Sequence, residues 1–482
     1  MSIEHSFQKS LNLFDSTAIV AGSMIGSGIF IVSADVARQV GSPGWLMIAW
    51  ALAGFLTICA ALSYGELAGM YPKAGGQYVY LKEAFNPLIG FLYGWTFFLV
   101  IQTGTIAAVA MAFAKFSGVL VPWVSEDVVW IKAGFFKFGP VQIVAILSLV
   151  LLTWINSRGI RSGKKVQNAF TTGKVLLMVL FILVGLFFAT NSGAISLNEK
   201  IFWQPVREGP GGTDIPLSGF SLLAALGMAM VGTLFSSDAW NNITFTAGEV
   251  INPRKNIPLS LALGTILVTG LYLLANLVYL LALPIRGEPT GNSLMEQGMQ
   301  YALNDRLGTA VLSGVFGNYA VLIMALFIVI STFGCNNGLI LSGARVYYAM
   351  AKDKLFFARA GHLNARGVPA AGLTIQLFWA SLLCLSGTYG QLLDYVVFAV
   401  LIFYVLTIIG VFILRKKEPL LERPYKAFGY PVIPAIYILL ATLIMVILLI
   451  FKPDYTWPGL IIVILGIPVY FLWKTPVKKL KS

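Results

Sequence analysis

The sequence predicts an all-α membrane protein of twelve transmembrane helices, built as two inverted repeats of five plus a final pair, with the first and sixth helices broken. Three observations predict it. Of the 482 residues, 58% are apolar and only 11% are Asp, Glu, Lys or Arg, with a mean hydropathy of +0.82, whereas soluble domains carry about 25% charge. Charge is absent from long runs such as 143–154, 175–188 and 259–283, and roughly 20 apolar residues suffice to cross a hydrocarbon core about 30 Å thick. Finally, two apolar segments five spans apart are each interrupted by residues that weaken a helix.

The first span, 13–37, contains Gly22-Ser23-Met24-Ile25-Gly26-Ser27-Gly28. Glycine carries a helix penalty of about 1 kcal/mol, so this span unwinds near mid-membrane. Spans 45–71, 87–114, 139–157 and 167–190 follow, the last with Lys174 inside it. The sixth, 216–248, holds Ser236-Ser237-Asp238-Ala239-Trp240-Asn241-Asn242 between apolar halves, and Ser, Asp and Asn side chains compete for backbone hydrogen bonds. Spans 257–284, 314–344, 370–388 and 391–414 complete the second set, and 432–451 and 456–473 form the last pair. Non-helical backbone at membrane depth survives only where it is buried or lines a cavity. Two such breaks five spans apart are what an inverted pair of five-helix repeats gives. The chain thus divides into an N-terminus (1–12), a first repeat (13–190), a second repeat (216–414), a helix pair (432–473) and a C-terminus (474–482). No loop is long enough for a soluble domain.

Twelve spans put both termini on one side. Placing them inside assigns 23 basic residues to cytoplasmic segments and 9 to the outside, with Lys174 within a span. Short cytoplasmic loops collect Lys and Arg, so both termini are expected in the cytoplasm. The net charge of +13 reflects that topology and not nucleic-acid binding. Residues 1–14 are polar with both charge signs, unlike a cleaved signal peptide. Cys59, Cys335 and Cys384 all lie in apolar segments, so neither a disulfide framework nor a metal site is read from them. His5 and His362 belong to no ligand or catalytic pattern, and no cofactor, metal or enzyme chemistry is expected.

An unwound helix centre leaves free N–H groups at the start of one half and free C=O groups at the end of the other, which suit a carboxylate and an ammonium. Gly26-Ser27-Gly28 lacks bulk, so a carboxylate can approach its N–H groups, and carbonyls beside the second break can take the ammonium. The smallest ligand with both groups is an α-amino acid. The competing reading of the glycines is close helix packing. Lys174, at a depth where a charge costs at least about 2.5 kcal/mol, either braces the unwound carbonyls in the place of a monovalent cation or snorkels to the surface. Asp238 has three readings: a cap for the following half-helix, a partner for a cationic substrate side chain, or a proton carrier. Glu66 is expected to sit at the interface or pair with a loop cation. The aromatic residues are expected to be mostly lipid-facing or interfacial, except Phe235, which abuts the second break and can close over a ligand.

These residues lie in longer motifs: GSGIF at 26–30, YPKAGGQYVYLKEAF at 71–85, NAFTTGK ending at Lys174, FSSDAWNNITFTAGEVINPRKNIP at 235–258, and FGCNNG at 333–338 ahead of Arg345. In these, and through nearly its whole length, the chain resembles the amino acid-polyamine-organocation superfamily, and within it the L-type, light-subunit-like amino acid transporters. The resemblance implies a LeuT-type fold of ten core helices plus two, alternating access, and commonly obligatory exchange of amino acids. By matching position it puts the substrate carboxylate on Gly26, Ser27 and Gly28, and the α-amine near the carbonyls of Met24, Phe235 and Asp238. It makes Phe235 the gating aromatic, and places Lys174 where sodium-coupled relatives bind an ion, which implies sodium independence. Animal members carry a cysteine after span 3 for a disulfide to a heavy glycoprotein subunit; 115–140 contains none, so a standalone carrier in the cell membrane is implied, with the lipid bilayer and the amino acid as its partners. Asp238 departs from the glycine of large-neutral transporters and resembles the aspartate of cystine and dibasic exchangers. The expected function is therefore sodium-independent exchange of L-amino acids, neutral and through Asp238 also cationic. The alternative is a proton-coupled symporter; a membrane enzyme lacks a catalytic constellation, a receptor lacks a signalling domain, and a channel would carry current without saturation.

Overall fold

A computed structural model describes residues 6–125, 128–133, 136–208, 213–386 and 389–474, with backbone alone at 133, 389–395 and 455. His5 and Lys478, Lys479 and Lys481, three of the basic residues assigned to the cytoplasm, lie outside the described residues.

The chain enters its first helix, α1 (Leu13–Met24), through a reciprocal cap: the Asp15 N–H donates to Asn12 Oδ1 at 2.9 Å and the Asn12 N–H to Asp15 Oδ2 at 3.0 Å, satisfying two donors that a helix start otherwise leaves bare. After the break come α2 (Val32–Val40), α3 (Pro43–Met70), the short α4 (Gln77–Ala84), α5 (Pro87–Thr96) and α6 (Gln102–Leu120). A π turn at Phe97–Ile101 joins the last two into one 34-residue span. Next are α7 (Pro140–Ser157), α8 (Ile160–Phe188), α9 (Ser192–Lys200), α10 (Gly219–Ser236), the single turn α11 (Asn242–Phe245) and α12 (Pro253–Ala282). Then follow α13 (Leu294–Gln297), α14 (Leu307–Phe316), α15 (Tyr319–Lys352), α16 (Ala370–Leu385), α17 (Tyr389–Lys417), α18 (Val432–Phe451) and α19 (Pro453–Trp473). Proline at the first helical position of α3, α5, α7, α12 and α19 starts these helices where its missing N–H costs nothing.

Among the described residues, ten helices are long and apolar enough to cross a membrane. Two further expected spans coincide with shorter apolar helices, α1 and α16. Span 5 begins at Ile160 and not at 167, because residues 161–165, three of them basic, continue the helix beyond its apolar part. Every candidate span is helical, in keeping with the all-α expectation. Two small antiparallel hairpins, β1 (Ile131–Ala133) with β2 (Phe136–Phe138) and β3 (Val206–Glu208) with β4 (Asp214–Pro216), decorate the loops.

The aromatic residues divide between the surface, as at Trp154, Phe187 and Phe471, and the interior, where a substantial minority lie. Trp50, Trp240, Tyr64, Tyr272, Tyr279 and Tyr347 are among the largest fully buried side chains. A bundle this thick has an interior as well as a lipid face, and large rings fill it; the Tyr272 and Tyr279 hydroxyls bond to backbone carbonyls. Glu66 is fully buried, bonded by Arg415 at 2.9 and 2.6 Å and by the Ala427 N–H at 2.7 Å, with Arg423 Nε at 3.3 Å. It anchors the segment that joins α17 to α18.

Candidate substrate site

The two predicted interruptions are present in the backbone. The helix α1 stops at Met24; Ile25 is extended (φ −74°, ψ 99°), Gly26 and Ser27 belong to no helix, and a 3₁₀ turn at Gly28–Phe30 leads into α2. Among the described residues, the N–H groups of Gly26, Ser27 and Gly28 donate to no backbone carbonyl. On the facing element α10 ends at Ser236, and Ala239 takes a left-handed conformation at φ 65°, sparsely populated for a residue with a Cβ. The chain resumes helix only for the turn of α11. The breaks touch: a Cβ built on Gly28 would lie 2.3 Å from Ser236 Oγ, whereas one on Gly26 would meet nothing nearer than Cys335 Sγ at 3.8 Å. Gly28 thus serves close packing, and Gly26 leaves open space.

The carbonyls released by the end of α1 are taken by side chains from three other helices. Lys174, fully buried, donates from Nζ to the carbonyls of Gly22 (2.5 Å), Ile25 (2.7 Å) and Ser331 (3.2 Å). Ser331 Oγ donates to the Ile25 and Gly26 carbonyls, both at 3.1 Å, and Cys335 Sγ to that of Ser23 at 3.0 Å. The Tyr272 hydroxyl lies 3.1 Å from the Met24 carbonyl and 3.2 Å from that of Ser236, bridging the two breaks. The Lys174 ammonium is therefore spent on carbonyls at the first break and on α15, and does not reach for the surface. It is the innermost member of a donor row on α8. Lys164 Nζ donates to the Ser10 carbonyl (2.6 Å) and Asp15 (2.8 Å), Asn168 to Asp15 (2.6 Å), and Gln167 and Thr171 to the Ala18 carbonyl (3.2 and 3.0 Å). Residues three and four apart share a helix face, so the row follows α1 from its start to its break.

Asp238 stands in the second break, where Tyr404 donates its hydroxyl proton to Oδ1 at 2.5 Å. No side chain caps α11, so capping is not what the carboxylate does here. Phe235 lines both a small central cavity and a vestibule. The central cavity, about 40 Å³, is walled by Met24, Gly26, Ser27, Gly28, Asp238 and Cys335. The vestibule, about 630 Å³, runs from Ser27, Gly28 and Phe235 out to Lys137, Gln142 and Asp305. The Phe235 ring thus stands between the two.

Toward the other ends of α1 and α15 the bundle is shut. The Ser10 and Leu11 N–H groups donate to the Glu249 carbonyl (2.8 and 3.0 Å) and the Ile251 N–H to that of Leu11 (2.8 Å). Arg345 binds the Glu249 carboxylate with two hydrogen bonds of 2.9 Å, both side chains 1% exposed. All seven sequence-predicted residues, Met24, Gly26, Ser27, Gly28, Lys174, Phe235 and Asp238, thus lie at or against the two breaks. Tyr272, Ser331 and Tyr404 were missed. Only Tyr272 left a signal: with Asn276 and Tyr279 it makes a polar stripe at helical spacing along an apolar span.

Residues 11–470 match the amino acid permease family. The chain is similar to the large neutral amino acids transporter small subunit 2 of Homo sapiens, at 29% identity over 479 residues (97% of this chain and 81% of the relative). It is similar to the b(0,+)-type amino acid transporter 1 of Mus musculus at 29% over 476 residues (97% and 88%), and to the Asc-type amino acid transporter 1 of Mus musculus at 28% over 487 residues (98% and 83%).

Proposed function

Because the chain belongs to the amino acid permease family, with L-type, light-subunit amino acid transporters among its relatives, we propose that it exchanges L-amino acids across a cell membrane without sodium, by alternating access around the two breaks. The observation that carries this is the row of unengaged N–H groups at 26–28 facing, across one cavity, a broken helix with a carboxylate. The substrate carboxylate docks on Gly26, Ser27 and Gly28, and its α-amine lies among the carbonyls of Met24, Phe235 and Asp238. Phe235 acts as the gate to the vestibule. With 23 basic residues on one side and 9 on the other, both termini face the cytoplasm, and the vestibule opens outward. Twelve spans in a LeuT-type pair of inverted repeats accommodate these features. The carrier works alone, with no disulfide-linked heavy subunit.

Counterflow of labelled leucine into proteoliposomes tests the reading: uptake that depends on internal amino acid supports exchange, and proton-driven uptake into empty vesicles replaces it with symport. Lys174 already holds an ammonium among three carbonyls, so replacing sodium by choline is expected to leave the exchange rate unchanged; a rate that falls with sodium removal would refute this. In Ser27→Leu the bulky side chain shields the N–H groups. Hydrogen bonds to a charged group contribute about 1.5–3 kcal/mol, so leucine should bind at least about tenfold more weakly. Unchanged affinity would sink the carboxylate assignment.

A further inference from the structure

Beside the central cavity lies a second, smaller chamber of about 20 Å³, lined by Gln77, Gln102, Asn241 and Asn242. Thr105, Asp238 and Ala239 line both spaces, so the chamber adjoins the place where a bound amino acid would project its side chain. At about 20 Å³, more than the roughly 10–15 Å³ that one water needs, it admits the tip of a side chain and not a whole amino acid.

Most of the polar groups around it are already engaged. Asn241 Nδ2 donates to Gln77 Oε1 at 2.9 Å, Gln77 Nε2 to Thr407 at 3.1 Å, and the Thr105 hydroxyl to the Ile101 carbonyl at 2.6 Å. Gln102 spends Nε2 on the Leu339 carbonyl at 2.6 Å, which leaves its Oε1 as an acceptor. Asn242 stands out: the residue is 1% exposed and its Nδ2 is buried without a hydrogen-bond partner, while Tyr93 adds a phenol to the same lining. Buried donors in native structures are nearly always paired. One donor (Asn242) and one acceptor (Gln102) at a single chamber complement a carboxamide, whose C=O accepts and whose NH₂ donates. An aliphatic side chain would leave both unmet, and a carboxylate would be repelled by Asp238 alongside.

We propose that this chamber is a side-chain subsite selecting amino acids with a carboxamide side chain, glutamine or asparagine, through Asn242 and Gln102. It rests on the amino acid exchange argued above. The test is competition against labelled leucine in counterflow by glutamine, asparagine, glutamate and norleucine, in the wild type and in Asn242→Leu and Gln102→Met. The wild type is expected to favour the two carboxamides over norleucine and glutamate, and each variant to lower the glutamine-to-norleucine preference about tenfold, as leaving a buried donor or acceptor unmet does. Norleucine competing as well as glutamine in the wild type, or a preference unchanged in both variants, would overturn the proposal and leave the chamber to water. Leucine counterflow distinguishes the two failures: where leucine exchanges without carboxamide preference only the subsite falls, and where no amino acid exchanges the transport reading falls with it.

Discussion

Lys174→Met should exchange leucine about a hundredfold more slowly than the wild type while reaching the membrane in normal amount. The ammonium donates to the carbonyls of Gly22, Ile25 and Ser331. Ile25 keeps its bond from Ser331 Oγ, and the Ser331 carbonyl lies within a continuous helix, so the loss falls mainly on Gly22. An unmet buried polar group costs about 1–3 kcal/mol, and the upper end of that range corresponds to about a hundredfold. The penalty is borne by the broken conformation in particular, because only there does the Gly22 carbonyl lack a helical partner. Lys174→Arg is not expected to rescue, since a planar fork does not fit where a compact ammonium sits. Initial rates of counterflow, with membrane protein quantified in parallel, decide the matter. A wild-type rate in Lys174→Met would show that the brace is dispensable.

Asp238→Asn is expected to weaken arginine and lysine about a hundredfold and leucine or alanine by much less. Asparagine keeps an oxygen for the Tyr404 hydroxyl and removes only the charge. If a guanidinium or ammonium on the substrate pairs with this carboxylate, the variant leaves that charge unpaired in a partly dehydrated cavity, which costs about 3 kcal/mol or more. Competition by arginine and by leucine in the same variant reads the difference directly. Equal and modest losses would remove cationic amino acids from the substrate range.

Legibility from the sequence followed the range of the interaction. The breaks were readable because Gly26 with its neighbours and the polar run 236–242 weaken their own helix, whatever lies around them, whereas Gly22 remains inside α1. Lys174 could be singled out, since a charge inside an apolar span needs a task, but not its three acceptors, which come from α1, the break after it and α15. Tyr404 gave no sign: it is one aromatic in an apolar run, and its partner Asp238 is 166 residues away. The hairpin strands are three residues each, too short for an alternating pattern to emerge. Which aromatics are buried could not be read for a related reason, since composition alone does not tell which face of a span meets lipid and which meets another helix.

The donor row on α8 divides the burden of sequence change unequally between two helices in contact. Its acceptors on α1, apart from Asp15, are main-chain carbonyls, which every amino acid supplies. The side chains on that face of α1 therefore contribute little to the attachment and need only stay small: a Cβ on Gly22 would lie 2.1 Å from Gln167 Nε2 and 2.2 Å from Thr171 Oγ1. Lys164 and Lys174 have no such freedom, because each supplies a charged donor that no neighbour replaces, whereas Gln167 and Thr171 share the Ala18 carbonyl. Drift among descendants of this chain is thus constrained by size along one helix and by functional group along the other, and a compensating change in α1 cannot restore what a loss in α8 removes.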